Sequence, residues 1–153
     1  MEATLVNPFV EGALHILDTT AFVKVKPEIP FLKKDNGSHG DITGILEISG
    51  DLQGSAAISF SEKCILGIVS AMFGEDMTEI NEEIIDAVGE ISNMIAGHVT
   101  TKIAELDKKV KVKFVRVCQG ADQNIDHIKG GEILVLPFRT TKGKMVIEVC
   151  YAP

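Results

Sequence analysis

An α+β domain, with helices packed on one face of an antiparallel sheet, is predicted by three features of the sequence. Apolar residues recur at steps of three and four between about residues 78 and 108. The pairs 42–48 with 55–60, and 133–138 with 144–149, alternate in the two-residue period of strands around turn-rich connections. The order is helix, hairpin, two helices, then strands, which separates a helical layer from a sheet layer. The 153 residues make one domain, 1–153, and require no second core.

Taken in order, Asn7 reads as the cap of a first helix with Pro8 in its first turn, where a missing N–H costs nothing. Phe9, Val10, Ala13, Leu14, Ile16 and Leu17 give that helix its apolar face, and it ends near Thr20. The segment 23–34 alternates at first, but Pro27 and Pro30 demote it to an edge strand or an extended connector. Asp35-Asn36-Gly37-Ser38 is a turn. Strands 42–48 and 55–60 form a hairpin across Gly50-Asp51-Leu52-Gln53-Gly54. Ser61 caps a short helix that Gly74 ends, and its near-continuous apolar character predicts that it is largely buried.

The long helix follows an acidic segment whose Glu82 and Glu83 suit the positive end of the helix dipole. Ile84, Val88, Ile91, Ile95, Val99, Ile103 and Leu106 form one apolar stripe. At roughly 100° per residue, Asp86, Glu90, Asn93 and Gly97 fall in a second stripe almost opposite. Asn and Gly each cost some tenths up to about 1 kcal/mol in a helix interior, so stability alone does not call for them. Asp86, Glu90 and Asn93 also suit an ordinary solvated face. Gly97 lets either another molecule or a neighbouring helix of the same chain approach the backbone.

After Asp107 the pattern changes to a strand over Val110 to Cys118. The polar stretch 120–131 is a loop; its acids lack the spacing and terminal Glu of a calcium loop. The second hairpin closes around Thr141-Lys142-Gly143. Gly40-Asp41-Ile42 and Gly131-Glu132-Ile133 open the two hairpins alike, which points to a pseudo-two-fold internal repeat.

The formal net charge is −7, and no Lys/Arg cluster is interleaved with aromatics, so nucleic acid and anionic membranes are excluded as expected partners. Cys64, Cys118 and Cys150 are widely spaced and lie in apolar segments, as small buried residues of a reducing compartment do. His15, His39, His98 and His127 show no zinc-site spacing, and His98 reads as a packed helix residue. The N-terminus has no leader-like pattern and no run reaches transmembrane length; the expected location is the cytoplasm.

The sequence Asp86-x-x-x-Glu90-x-x-Asn93, within DAVGEISNMIAGHV, resembles the signature helix of the CheC, CheX and FliY chemotaxis phosphatases, and most nearly the CheX branch. The opening NPFVEGALHILDTT, the first hairpin and the helix occur in the CheX order, so the resemblance covers essentially the whole chain. The family pattern often continues with a proline beyond the Asn, and no proline stands between Pro30 and Pro137 here. That departure touches the turn after the helix.

The resemblance implies a phosphatase acting on the aspartyl phosphate of the response regulator CheY. Asn93 would orient the attacking water, Glu90 would pair with the regulator's active-site lysine, and Asp86 and Gly97 would support partner binding. Magnesium would sit on CheY, with no cofactor on this chain. The resemblance also implies a two-halved sheet and a homodimer joined through sheet edges, for which 110–118 and 144–150 are the candidate strands. Glu11 is followed three residues later by Leu14 and not Asn, so only Glu90 and Asn93 make a complete site. The alternative is a non-catalytic chemotaxis module that binds a regulator through the same helix face. A small-molecule sensor is disfavoured because no polar cluster marks a pocket.

Overall fold

The computed structural model describes residues 3–34, 40–120, 125–128 and 130–153. They form three helices and seven strands: α1 (Ala3–Ala21), β1 (Val25–Pro27), β2 (Phe31–Leu32), β3 (Ile42–Gly50), β4 (Gly54–Phe60), α2 (Glu62–Phe73), α3 (Glu82–Ala104), β5 (Val110–Gln119), β6 (Ile133–Thr140) and β7 (Gly143–Tyr151). The sheet is antiparallel at every pairing and runs β1-β6-β7-β4-β3-β5, with β2 also on β6. The predicted turn at 35–38 lies outside the described residues.

Alternate strand residues explain the layers. Ile42, Leu46 and Ile48 of β3, Ala56, Ile58 and Phe60 of β4, and Met145, Ile147 and Val149 of β7 join the apolar faces of the three helices in one core. The helices cover this face alone, as an α+β fold requires.

Several expectations change in detail. The first helix starts at Ala3, so Asn7 is not its cap and Pro8 lies inside it. Pro8 forgoes only the bond to Thr4, at the helix's first turn, so the helix tolerates it. In α2, Ser61 accepts from the Cys64 N–H at 3.2 Å and Gly74 closes the helix with φ 71°, as expected. That helix is buried on one face and not largely buried: Cys64, Ile65, Ile68 and Val69 are inside, whereas Phe73 is 46% exposed. The segment 23–34 is both edge strand and connector, since β1 and β2 are separate short pairings on β6 with Pro30 in the break. Of the two candidate edges, β5 is at the sheet margin; 144–150 lies in β7, paired on both sides by β4 and β6. Cys64 and Cys150 are buried, but Cys118 is only half-buried.

The face of the sheet away from the helices holds a buried polar cluster. Glu148 of β7 accepts from Lys33 Nζ at 2.9 and 3.0 Å and meets His127 Nε2 at 2.8 Å. Nδ1 of His127 meets Ser55 Oγ at 2.7 Å, and Ser55 Oγ accepts from the Ile128 N–H at 3.0 Å. The charged side chains are almost wholly excluded from solvent. Burial by itself raises the Glu148 carboxyl; the hydrogen bonds from His127 and Lys33 outweigh it and leave the group below its ordinary range. This cluster ties the segments around Lys33 and His127 onto the sheet.

Candidate functional site

The exposed face of α3 is placed by the elements that hold its other face. Asn81 caps the helix by accepting from the Ile84 N–H at 3.1 Å, with Glu82 and Glu83 in the first turn and Lys102 in the last. Ile84, Val88, Ile91, Ile95, Val99 and Ile103 are all buried, as their spacing predicts. Leu106 is 41% exposed, because the helix ends at Ala104 and Asp107 turns the chain with φ 59°. Asp86, Glu90, Asn93 and Gly97 all face solvent.

A shallow groove of about 770 Å³ separates this face from the sheet margin. Asp86, Glu90 and Asn93 line it from α3, and Lys113, Phe114, Arg116 and Val117 line it from β5. Ile85 and Gly89 complete the helix side. The two walls are clasped by Thr100, whose hydroxyl donates to the Ala96 carbonyl at 2.9 Å and accepts from the Val112 N–H at 3.2 Å. At the base of β5, Asp51 Oδ2 accepts from the Lys109 N–H at 2.7 Å and anchors the strand to the first hairpin.

The structure thus brings together three of the four residues singled out in the sequence. Gly97 lies outside the groove. A Cβ there would meet nothing within 4 Å, so no other part of the described chain packs against it, which removes the neighbouring-helix explanation. The strand residues of the groove and Gly89 escaped the sequence reading. The strand pattern of 110–118 was legible, but nothing local says that it lies beside α3. Glu11 and Leu14 line a separate groove of about 480 Å³ along α1, which has no Asn at the matching position.

Chemically the groove is sparse. Its lining holds no Ser, Cys or His, and among the described residues no group of three or more His, Cys, Asp and Glu side chains could hold a metal ion. Glu90 and Asn93 stand at i and i+3, with Cβ atoms roughly 5–6 Å apart by helix geometry, so both can enter one cavity on a partner. The Asn amide donates and accepts at once and can hold a water in one orientation.

The family described as chemotaxis phosphatase CheX matches residues 42–139. The chain is 29% identical over 139 residues to the CheY-P phosphatase CheX of Thermotoga maritima, covering 90% of this chain and 88% of that one. A CheC-like superfamily protein from Shewanella sp. PV-4 is 34% identical, superposes with a TM-score of 0.92, and is covered completely, as is this chain. CheX of Borrelia burgdorferi, solved as a complex with CheY, BeF3 and magnesium, has a TM-score of 0.76 with 97% of each chain covered. At 21% identity that last likeness speaks to the fold alone. Glu90 and Asn93 both lie within the matched span, and the chain belongs to the CheX family of chemotaxis phosphatases.

Proposed function

We propose that this chain hydrolyses the aspartyl phosphate of a phosphorylated CheY-type response regulator. Phosphoryl transfer depends mainly on in-line positioning and charge neutralisation, so a single well-placed amide can lower the barrier of a site that is otherwise assembled on the partner. Asn93 orients the water whose oxygen attacks phosphorus; the bond from phosphorus to the aspartyl oxygen breaks, and the carboxylate leaves with inorganic phosphate as the second product. Glu90 pairs with the regulator's active-site lysine and holds the two proteins in register. Magnesium belongs to the regulator, and Asp86 supports the interface from one turn below Glu90.

The observation that carries this reading is the exposure of Glu90 and Asn93 on one helix face, opening into one groove whose lining holds no Ser, Cys or His. Support also comes from the phosphatase relative in Thermotoga maritima.

The test is phosphate release from a phosphorylated CheY-type regulator with this chain present in substoichiometric amount. Asn93→Ala is expected to cut turnover by roughly 10²-fold, as loss of one preorganised donor does, while keeping affinity for the regulator. Glu90→Ala is expected to weaken docking as well. Wild-type turnover by Asn93→Ala would defeat the assignment. Binding by the unaltered chain without turnover would make it an interaction module.

A further inference from the structure

The helix-facing residues of β5 do not keep strict alternation. Its register against β3 slips by one between Ile45, opposite Arg116, and Leu46, opposite Phe114, so Val115 is the extra residue of a bulge and is 46% exposed. The slip lets Phe114 and Val117, three apart, both join the helix-side core cluster. Directly above them α3 has Gly89: a Cβ there would come within 3.2 Å of Phe114 Cζ and 3.4 Å of Cε2, and within 4.0 Å of Val117 Cγ2. A glycine inside a long helix is destabilising unless close approach repays it. Here it leaves the aromatic ring only half-covered at the floor of the groove, with Ile85 beside it.

The geometry points to a docking function for this floor: Ile85, Gly89, Phe114 and Val117 take an apolar side chain that flanks the phosphorylation pocket of the regulator. This inference rests on the proposed phosphatase reading and adds to it the source of affinity. Glu90 is solvent-exposed in the free chain, so its pairing with the regulator must first offset the loss of its water, and an apolar anchor adds affinity beside it. Interfaces draw their affinity from a few apolar or aromatic anchors in desolvated pockets, ringed by polar contacts. The groove has that layout, with its apolar floor continuous with Glu90 and Asn93 and its rim carrying acids Asp86 and Glu90 on one side and Lys113 and Arg116 on the other. The two charge signs match a partner pocket that presents a lysine beside magnesium-binding carboxylates and a phosphoryl group.

The experiment measures both turnover of the phosphorylated regulator and affinity for the regulator loaded with beryllofluoride, using the full chain. Phe114→Ser is expected to raise Kd and KM about tenfold while kcat at saturation stays within about twofold. Val117→Thr keeps the shape, places a hydroxyl on the floor, and is expected to raise both several-fold. Phe114→Leu, which keeps the floor apolar, is expected to raise Kd less than Phe114→Ser does. If Phe114→Ser does not fold, Val117→Thr decides. A folded Phe114→Ser or Val117→Thr chain that binds within twofold of wild type overturns the docking role while leaving the phosphatase reading intact. Absence of both turnover and binding in the unaltered chain defeats the phosphatase reading, and the docking role falls with it.

Discussion

A Cβ added to Gly44 in β3 would come within 2.9 Å of the Ser92 Cβ in α3 and overlap the Ser92 hydroxyl. The signature helix therefore lies on its strand at a distance that only glycine permits, one residue before Asn93. Gly44→Ala must push α3 outward or bend β3, and overpacking of this kind costs about 1–3 kcal/mol. Urea unfolding is expected to show that loss. Regulator turnover should fall too, since Asn93 moves with the helix. An unchanged midpoint would mean that the helix can yield freely here.

Ser92 is itself fully buried, and among the described residues its Oγ has no hydrogen-bond partner. A hydroxyl desolvated without compensation costs roughly 1–3 kcal/mol, so removing it is favourable where the methylene stays. Ser92→Ala is expected to raise stability by about 1 kcal/mol in the same unfolding assay. A loss of stability would show that the hydroxyl is in fact bonded.

Gly97 supplies a contrast between stability and binding. It lies inside α3, exposed, with open space where a Cβ would project. Gly97→Ala is therefore expected to stabilise the chain by up to about 1 kcal/mol. If the bare backbone is kept for close approach of the regulator, the same substitution weakens binding of the phosphorylated regulator. Calorimetry and a binding titration on one variant check both, and a stabilised variant with undiminished affinity would remove Gly97 from the interface.

The contrast among these residues also shows what local pattern can reveal. The six buried stripe positions from Ile84 to Ile103 follow from helix period alone, and so does the exposure of Glu90 and Asn93 opposite them. Leu106 continues the period on paper, but the left-handed Asp107 ends the helix first. The floor of the groove depends on a bulge set by pairing between β3 and β5, so no window around Phe114 contains it. The Glu148 cluster draws on Lys33, Ser55 and His127, which come together only when β4, β7 and two connecting segments are assembled. The roles proposed for Glu90 and Asn93 come from the family resemblance; spacing by itself is equally met by a solvated face.

Lys33 provides the prediction for that cluster. Its ammonium is the donor for both oxygens of a carboxylate that has no access to water. Lys33→Met keeps the apolar stem but removes the charge, and breaking a buried pair from one side typically costs about 3–5 kcal/mol. Thermal unfolding is expected to show a loss near the lower end of that range, because His127 still contacts Glu148. A loss below about 1 kcal/mol would mean that water reaches the carboxylate.

On the acid side, two groups with lowered values make stability depend on pH in the same direction. His98 on α3 is held below the ordinary 6.5, chiefly by burial, then by His15, whose ring centroid lies 5.5 Å away, and by Lys102; Glu11 and Glu105 oppose this. A depressed folded value means that the folded state binds its proton less readily than the unfolded chain does, so this contribution is present above about 6.5 and is lost as pH falls through the folded value. Glu148 is likewise below its ordinary 4.5, so its contribution is present above 4.5 and is lost on further acidification. Unfolding free energy is therefore expected to decline in two steps on the acid side, the first beginning below about 6.5 and the second below 4.5. His98→Gln is expected to abolish the first step and leave the second, and denaturant titrations across that range decide it. A first step that survives the substitution would assign it to a group other than His98.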